Sequence, residues 1–399
     1  MSALAAARRR RTMIMLAINL AVLLGVGGLL YAGALALSRY EGAKDASVTM
    51  VEVPSTPVAM VASVDADDSL TSVTVMVLRA TSLVGGSIVS VPISSDTAGG
   101  VDGQRIPLTE IYAAGGAEAL TLAVESLLSV TIDHPYVANP DQLAAVLQPV
   151  APIAVNLPAE VSINPNTSNA TVYPAGEVAL SGKQAAGVLN ARAEGQTEAE
   201  RRPTLEAVWA GVAVAIGDGV TDVPTPVIPG VFELFVTQLY GGPTQSRGLP
   251  ATALPADQIP EGKDVEELDR PEAVMVFATI APSNMSAANV GLMFRIEAPP
   301  GYESKVKYVV RALLYLGANV QQVYMNGPSQ DATRIILYDD SFAGDALGAE
   351  ALFGKPLETP EPEVRIEGID VVIQLGSVFL NDTESGDTLP STTTTTTVP

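Results

Sequence analysis

The chain has 399 residues, with 22 lysines and arginines against 44 aspartates and glutamates, and hydrophobic residues make up 47% of it. It has no cysteine and one histidine, which excludes disulfide scaffolds, thiol catalysis, cysteine-bound metals and sites built from several histidines of one chain. A net charge of −22 excludes nucleic acid as a major partner, because phosphate binding requires a basic surface. The length and the apolar content predict two folded domains.

The N-terminal region has the pattern of a membrane anchor. Four arginines, Arg8–Arg11, precede a charge-free run over Met13–Leu37, which as a helix is long enough to span a hydrocarbon core of roughly 30 Å. The alternative, a cleaved signal peptide, usually has a shorter apolar region. The arginines predict a cytoplasmic N-terminus and an extracellular bulk in a single-pass cell-membrane protein. Small residues recur every four positions, at Ala17, Ala21 and Gly25; they fit either self-association through the transmembrane helix or an ordinary alanine-rich anchor.

Composition shifts divide the rest of the chain. The predicted organisation is a basic cytoplasmic segment (1–12), a transmembrane helix (13–37), a tether (38–55), a first domain (56–282), a linker (283–289), a second domain (290–380) and a tail (381–399). The tail is polar and contains six consecutive threonines. It cannot bury apolar surface, so it is predicted to be disordered.

The first domain has the pattern of an alternating α/β fold. Val73–Leu78 and Ser87–Val91 are β-branched runs that predict buried strands. A helix is predicted near Ala117–Val130, and two more begin after the N-caps Asn139 and Ser181, each followed three residues later by glutamine. A fourth helix carries an apolar stripe at Leu205, Val208, Trp209, Val212 and Ile216. That spacing predicts Trp209 as a core residue.

The second domain has the order βαββαβ. The predicted elements are Gly291–Glu297, Glu303–Leu316, Asn319–Met325, Thr333–Tyr338, about Ala343–Phe353 and Ile369–Leu375. This order is typical of the split βαβ arrangement, in which one sheet carries both helices on one face.

Common catalytic motifs are missing from the sequence: it contains no Walker A loop, no GxSxG elbow and no HExxH. His134 is interpreted as a structural residue at the start of a strand. The more informative residues are Arg192, Arg201 and Arg202, which flank an acidic loop. Arg192 ends one predicted helix, and Arg201 and Arg202 begin the next. Guanidinium groups and a helix N-terminus both favour phosphate. The alternative is that these arginines only pair with the nearby acids Glu194, Glu198 and Glu200.

Several segments occur in the order and spacing of a known family. They are residues 104–116 (QRIPLTEIYAAGG), 132–134 (IDH), 173–176 (YPAG) and 180–185 (LSGKQA). Over about residues 64–215 the chain resembles the LytR-CpsA-Psr family, also described as the cell envelope-related transcriptional attenuator domain. Residues 290–380 are similar to the LytR C-terminal domain that often accompanies it. The resemblance implies an αβα-layered first domain with a mixed sheet.

The resemblance also implies a function. Members of that family transfer anionic glycopolymers from a polyprenyl-pyrophosphate carrier to peptidoglycan outside the membrane. The lipid tail enters an apolar tunnel, and arginines with a magnesium ion hold the pyrophosphate. On this reading Arg105, Arg192, Arg201 and Arg202 are the expected substrate-binding residues, and the expected partners are the cell membrane, a polyprenyl-phosphate lipid and peptidoglycan or a wall glycopolymer.

The catalytic positions depart from the family pattern. Val73 stands where a metal-binding aspartate is expected, while Ile93 and Asn190 replace two arginines. Asp96 fits the remaining catalytic position only if two residues are inserted, and no metal ligands are assigned. The sequence therefore predicts a pseudoenzyme of cell-envelope assembly that retains lipid or polymer binding. The alternative is an active, magnesium-dependent phosphotransferase that joins glycopolymers to peptidoglycan with a rearranged site.

Overall fold

The structure is a computed structural model. It describes Tyr31 and residues 49–100, 104–163, 170–220, 230–260, 262–287, 291–339, 352–354, 357–360, 362 and 364–382. Apart from Tyr31, the predicted transmembrane helix lies outside the described residues, as do the basic segment, the end of the tail from residue 383 and most of the helix predicted near 343–353.

The described strands are β1 Thr49–Val51, β2 Val58–Val64, β3 Leu70–Leu78, β4 Gly86–Val91, β5 His134–Ala138, β6 Ile153–Leu157, β7 Val161–Ile163, β8 Thr171–Tyr173, β9 Gly176–Leu180, β10 Thr244–Gly248, β11 Ala251–Ala253, β12 Glu266–Leu268, β13 Met293–Glu297, β14 Asn319–Tyr324, β15 Thr333–Leu337, β16 Leu357–Glu358, β17 Val364–Ile366 and β18 Val371–Gln374. The described α-helices are α1 Leu108–Leu128, α2 Pro140–Leu147, α3 Gly182–Asn190, α4 Glu198–Ile216, α5 Gly230–Tyr240, α6 Arg270–Ile280, α7 Glu303–Tyr315 and α8 Ser377–Asn381. β1 and β17 pair in parallel and form a compact unit of their own.

The first domain contains a mixed five-stranded sheet in the order β10-β4-β3-β2-β5. β2, β3 and β4 are antiparallel neighbours, while β10 runs parallel to β4 and β5 runs parallel to β2. Every residue of β2 and β3 is buried. Both faces of these central strands are therefore covered, which explains their nearly continuous apolar sequence. The predicted α/β class is confirmed.

Each face of this sheet has its own core. Val73, Val75 and Val77 of β3 belong to a cluster that includes α1 and α6. Met76 of the same strand belongs to the opposite cluster, built with α2, α3, α4 and α5. Trp209 is 1% exposed within that second cluster, so its assignment to the core is correct.

The two predicted N-caps are confirmed by hydrogen bonds within the first turn of each helix. Asn139 and Ser181 each accept from the backbone N–H of a glutamine three residues later, and that glutamine bonds back to the cap. α1 is longer than predicted: it runs over Leu108–Leu128 with a break in helical geometry at Gly116, where φ is 64°. Among the described residues, α1 is the helix whose length and composition would allow it to cross a membrane. It buries Leu120, Val124 and Leu128 in the core of the first domain.

The second sheet corrects the predicted topology. Its order is β14-β13-β18-β15-β16. β13 and β14, which α7 connects, lie next to each other in parallel, and β15 is antiparallel to β18. The split arrangement requires another strand between the two that the helix joins, so that prediction is wrong. The hydrophobic pattern identifies strands, but their partners depend on which edges meet in the folded chain.

Candidate functional site

Asp96 and Arg105 form an ion pair in the turn after β4. The Arg105 Nη1 atom lies 2.7 Å from Asp96 Oδ2, and the backbone N–H groups of Ile106 and Ala98 donate to Asp96 Oδ1 at 2.9 and 3.1 Å. Asp96 is 8% exposed. Burial raises the pKa of this carboxyl, but the hydrogen bonds from Arg105 and the two N–H groups outweigh it and leave the pKa below its usual value.

Arg201 is buried in the first turn of α4, with 2% of its surface exposed. Its Nε donates to the carbonyl oxygen of Ala191 at 2.9 Å, its Nη1 donates to that of Thr71 at 2.6 Å, and its Nη2 donates to that of Leu189. Nη1 also lies 3.1 Å from Glu198 Oε2. All three guanidinium nitrogens therefore bind protein acceptors that join β3, the end of α3 and the start of α4.

Glu198 and Arg201 carry their charges inside the protein. Burial raises the pKa of the Glu198 carboxyl, and the positive charge of Arg201 opposes that rise. Burial lowers the pKa of Arg201, and Glu198 opposes that change in turn. Each charge thus depends on the other to remain stable at this depth.

Arg192 follows the end of α3 and lines a cleft of about 520 Å³. Its Nε donates to the carbonyl oxygen of Gln196 at 2.9 Å, and its Nη2 donates to Asp264 Oδ2. The same Asp264 oxygen accepts from the backbone N–H of Glu198 at 2.7 Å. The N-terminus of α4 and the adjacent arginine, predicted together to hold an anion, therefore bind a carboxylate of the chain itself.

Arg202 pairs with a second carboxylate from the same part of the chain. Its Nη2 donates to Glu266 Oε2, which also accepts from the Ser94 hydroxyl at 2.5 Å. Lys263, from the same segment, also contacts two groups. Its Nζ atom lies 2.7 Å from Glu110 Oε2 and donates to the carbonyl oxygen of Arg105 at 3.2 Å. We call residues 262–266 the acidic strap, because Asp264 and Glu266 form ion pairs with Arg192 and Arg202.

Residues 61–202 match the model of the LytR_cpsA_psr family. The resemblance inferred from the motifs is confirmed for this segment. No curated protein matches the chain.

The chain is also similar to several solved structures. They include TagV of B. subtilis (15% identity, 54% of this chain and 91% of that one, TM-score 0.40), a putative transcription regulator from Eubacterium siraeum (12%, 56% and 91%, 0.41) and a LytR-Csp2A-Psr enzyme from Actinomyces oris (15%, 55% and 91%, 0.38).

The expected metal position of a LytR-CpsA-Psr domain is apolar in this chain. Val73 and Ile93 are each 1% exposed and belong to the core. On the opposite face of β3 from the Val73 side chain is a small cavity lined by Ser72, Thr74, Ser90, Glu198 and Arg202, among others. The three hydroxyl oxygens and Arg202 Nε are buried without hydrogen-bond partners.

These groups do not fit magnesium. Mg²⁺ selects carboxylate and water oxygens, whereas Arg202 adds a positive charge to the lining of the cavity and the Glu198 carboxylate is paired with Arg201. Within the described ranges, no group of three histidine, aspartate or glutamate side chains could hold a metal ion.

The structure also shows what the sequence interpretation missed. Arg201 does pair with Glu198, as the alternative interpretation held, but Arg192 and Arg202 pair with Asp264 and Glu266 rather than with acids of their own loop. Asn190, which replaces an expected arginine, accepts from the Thr71 hydroxyl at 2.6 Å. The acidic character of residues 264–267 was visible in the sequence, but nothing local linked it to the arginines.

Proposed function

We propose that the protein is a membrane-anchored, extracytoplasmic cell-wall assembly protein. It would bind lipid-linked or wall polymers and have impaired or lost transferase chemistry. One observation carries this proposal: all four arginines expected to grip substrate phosphate pair with carboxylates of the same chain. The pairs are Arg105–Asp96, Arg192–Asp264, Arg201–Glu198 and Arg202–Glu266.

The loss of chemistry follows from the electrostatics of phosphoryl transfer. That reaction depends on cations that stabilise charge on the transferred group. Here the expected metal ligand is Val73 and one expected arginine is Ile93, both in the core. Arg201 has its guanidinium nitrogens bound within the protein. Too little unpaired positive charge remains to stabilise a transition state at this place.

Retained binding rests on the pairs at the cleft. The side chains of Arg192 and Asp264 are 35% and 30% exposed, so their pairing is weak and can exchange with a ligand. A polyprenyl phosphate or pyrophosphate head group would compete with the Asp264 carboxylate for Arg192 and for the N-terminus of α4.

The binding test replaces each partner of the Arg192–Asp264 ion pair in a separate variant. Full-length protein in detergent micelles is titrated with a polyprenyl pyrophosphate dissolved in the same detergent. Arg192→Ala should weaken binding, whereas Asp264→Asn should strengthen it several-fold because the competing carboxylate is gone. Arg270→Gln and Asp257→Asn are the matched controls, since both residues are exposed surface charges. Absence of lipid binding, or weakening by both variants of the pair, would reject this mechanism.

The catalytic half is tested with a transfer assay on the same preparation. We expect no transfer of a lipid-linked glycopolymer to peptidoglycan with or without magnesium. Robust magnesium-dependent transfer that Asp96→Asn abolishes would instead establish the alternative function, an active transferase with a rearranged site.

The anchor and its orientation are part of the proposal. They rest on Arg8–Arg11 and the charge-free run over Met13–Leu37. On intact protoplasts, a tag at the C-terminus should be removed by added protease, and a tag ahead of Arg8 should survive. Protection of the C-terminal tag would contradict the proposed extracellular location of the bulk of the chain.

A further inference from the structure

A second cleft of about 550 Å³ lies away from the arginine site, where the first sheet meets the second domain. Its walls come from β4 and β10 of the first sheet, from α6 and from the first turns of α7. The volume lies in the range of small-molecule sites, and junctions between packed domains are a preferred place for them. Nothing in the proposed function uses this cleft.

One wall of the cleft is a polar corner on an otherwise apolar sheet face. β10 pairs in register with β4, so that Gln245 lies beside Ser87 and Arg247 lies beside Val89. Farther along the same face of β4, Val89 and Val91 are core residues. The sheet therefore changes from packing surface to hydrogen-bonding surface at Ser87, Gln245 and Arg247.

Arg247 is one of two cations of the cleft, whose lining also includes the carboxylates of Glu272 and Glu303. Its side chain is exposed, and among the described residues it has no ion pair or hydrogen bond. Lys307, by contrast, is held by Asp269 and lies 3.3 Å from Glu272. A free guanidinium presents paired donors that match a carboxylate.

The remaining lining has the chemistry of a sugar site. Ser87, Ser304 and Gln245 offer donors and acceptors, and Glu303 can accept from hydroxyl groups. Met275, Ile280 and Met325 provide an apolar surface on which the face of a ring can pack. A cleft of this volume accommodates one or two sugar rings.

We propose that this cleft binds an acidic saccharide, with its carboxylate on Arg247 and its hydroxyls on the serine and glutamine side chains. The ligand class follows from the combination of one unpaired guanidinium, several hydroxyl-binding groups and an apolar floor. The site is independent of the acidic strap and of any lipid bound there.

The test uses two sugars that differ by one acidic group. Saturation-transfer NMR is recorded on the full-length protein in detergent with N-acetylmuramic acid, and with N-acetylglucosamine, which lacks the lactyl carboxylate. We expect a clear signal from the first sugar and about tenfold weaker binding of the second. Arg247→Gln should weaken binding of the acidic sugar by a similar factor and leave the neutral sugar unchanged, while Arg270→Gln should change neither.

Other results would overturn the proposal. Equal binding of the two sugars would show that the carboxylate is not recognised. Binding of neither sugar would show that the cleft is not a saccharide site. If Arg247→Gln melts at the same temperature as the wild type and binds the acidic sugar equally well, the assignment to this cleft is wrong. A response to an extended acidic peptide alone would assign the free edge of β10 to strand addition instead of sugar binding. Binding of the polyprenyl pyrophosphate is measured in parallel, so failure here remains distinct from failure of the proposed function.

Discussion

Arg192 and Arg201 flank the same loop, yet the two regions around them differ in kind. Arg201 lies in the interior and binds three backbone carbonyl oxygens and Glu198. Arg192 lies at an open cleft and pairs with Asp264 at about a third of full exposure. A buried guanidinium must be satisfied by the protein or the fold suffers, whereas an exposed pair contributes little and can exchange. Burial, and not residue type, thus separates a structural arginine from a binding one.

The largest expected effect comes from removing the buried charge. Arg201→Met should lower the free energy of unfolding by about 3–5 kcal/mol, because it leaves Glu198 as a buried unpaired charge and three carbonyl oxygens without donors. Chemical denaturation of the full-length protein measures this. Arg201→Lys keeps the charge but not the fork of donors, so it should fall between Met and wild type. A loss below about 1 kcal/mol for the methionine variant would mean that the interior pair resembles the exposed one.

A variant of Asp96 tests whether the Asp96–Arg105 pair contributes to stability as the buried Arg201–Glu198 pair does. Its carboxylate accepts from Arg105 and from two backbone N–H groups. Asp96→Asn should therefore cost about 1.5–3 kcal/mol, the range of hydrogen bonds to a charged group. Asp257→Asn, on an exposed surface residue, should stay within about 0.5 kcal/mol of wild type. Equal values for the two variants would place Asp96 with the exchangeable pairs.

The pH dependence sharpens the same point. The pKa of Asp96 is lowered in the folded protein, so its contribution is present above the ordinary carboxyl pKa of about 3.9. It is lost as the pH falls through the folded value, because the unfolded chain binds the proton first. The difference in unfolding free energy between wild type and Asp96→Asn should therefore shrink between about pH 6 and about pH 3. The raised pKa of Glu198 acts in both proteins and cancels in the comparison.

The smallest expected effect is at the cleft. Arg192→Ala should change the free energy of unfolding by only about 0.2–1 kcal/mol, since the pair with Asp264 is solvent-screened. Added salt should reduce that difference further. A loss as large as that of Arg201→Met, measured by the same denaturation, would show that the acidic strap is a structural element and not a displaceable one.

Local features were predicted well. The caps at Asn139 and Ser181 depend on hydrogen bonds across three residues, and the burial of Trp209 depends on the repeat of one helix. The family motifs likewise lie in short segments. The strand partners of the second domain were not predictable in this way. The hydrophobic pattern predicts that β13 and β14 are strands, but it does not show that they are neighbours in the sheet.

The sequence alone determined the helix starts, the family resemblance and the loss of the expected aspartate and arginines at Val73, Ile93 and Asn190. Only the tertiary structure decided which carboxylates face the remaining arginines. Asp264 and Glu266 lie far along the chain from Arg192 and Arg202, and folding brings them together beside α4. A cap is set by neighbours within one helical turn, whereas an ion pair between distant segments depends on the packing of every element between them.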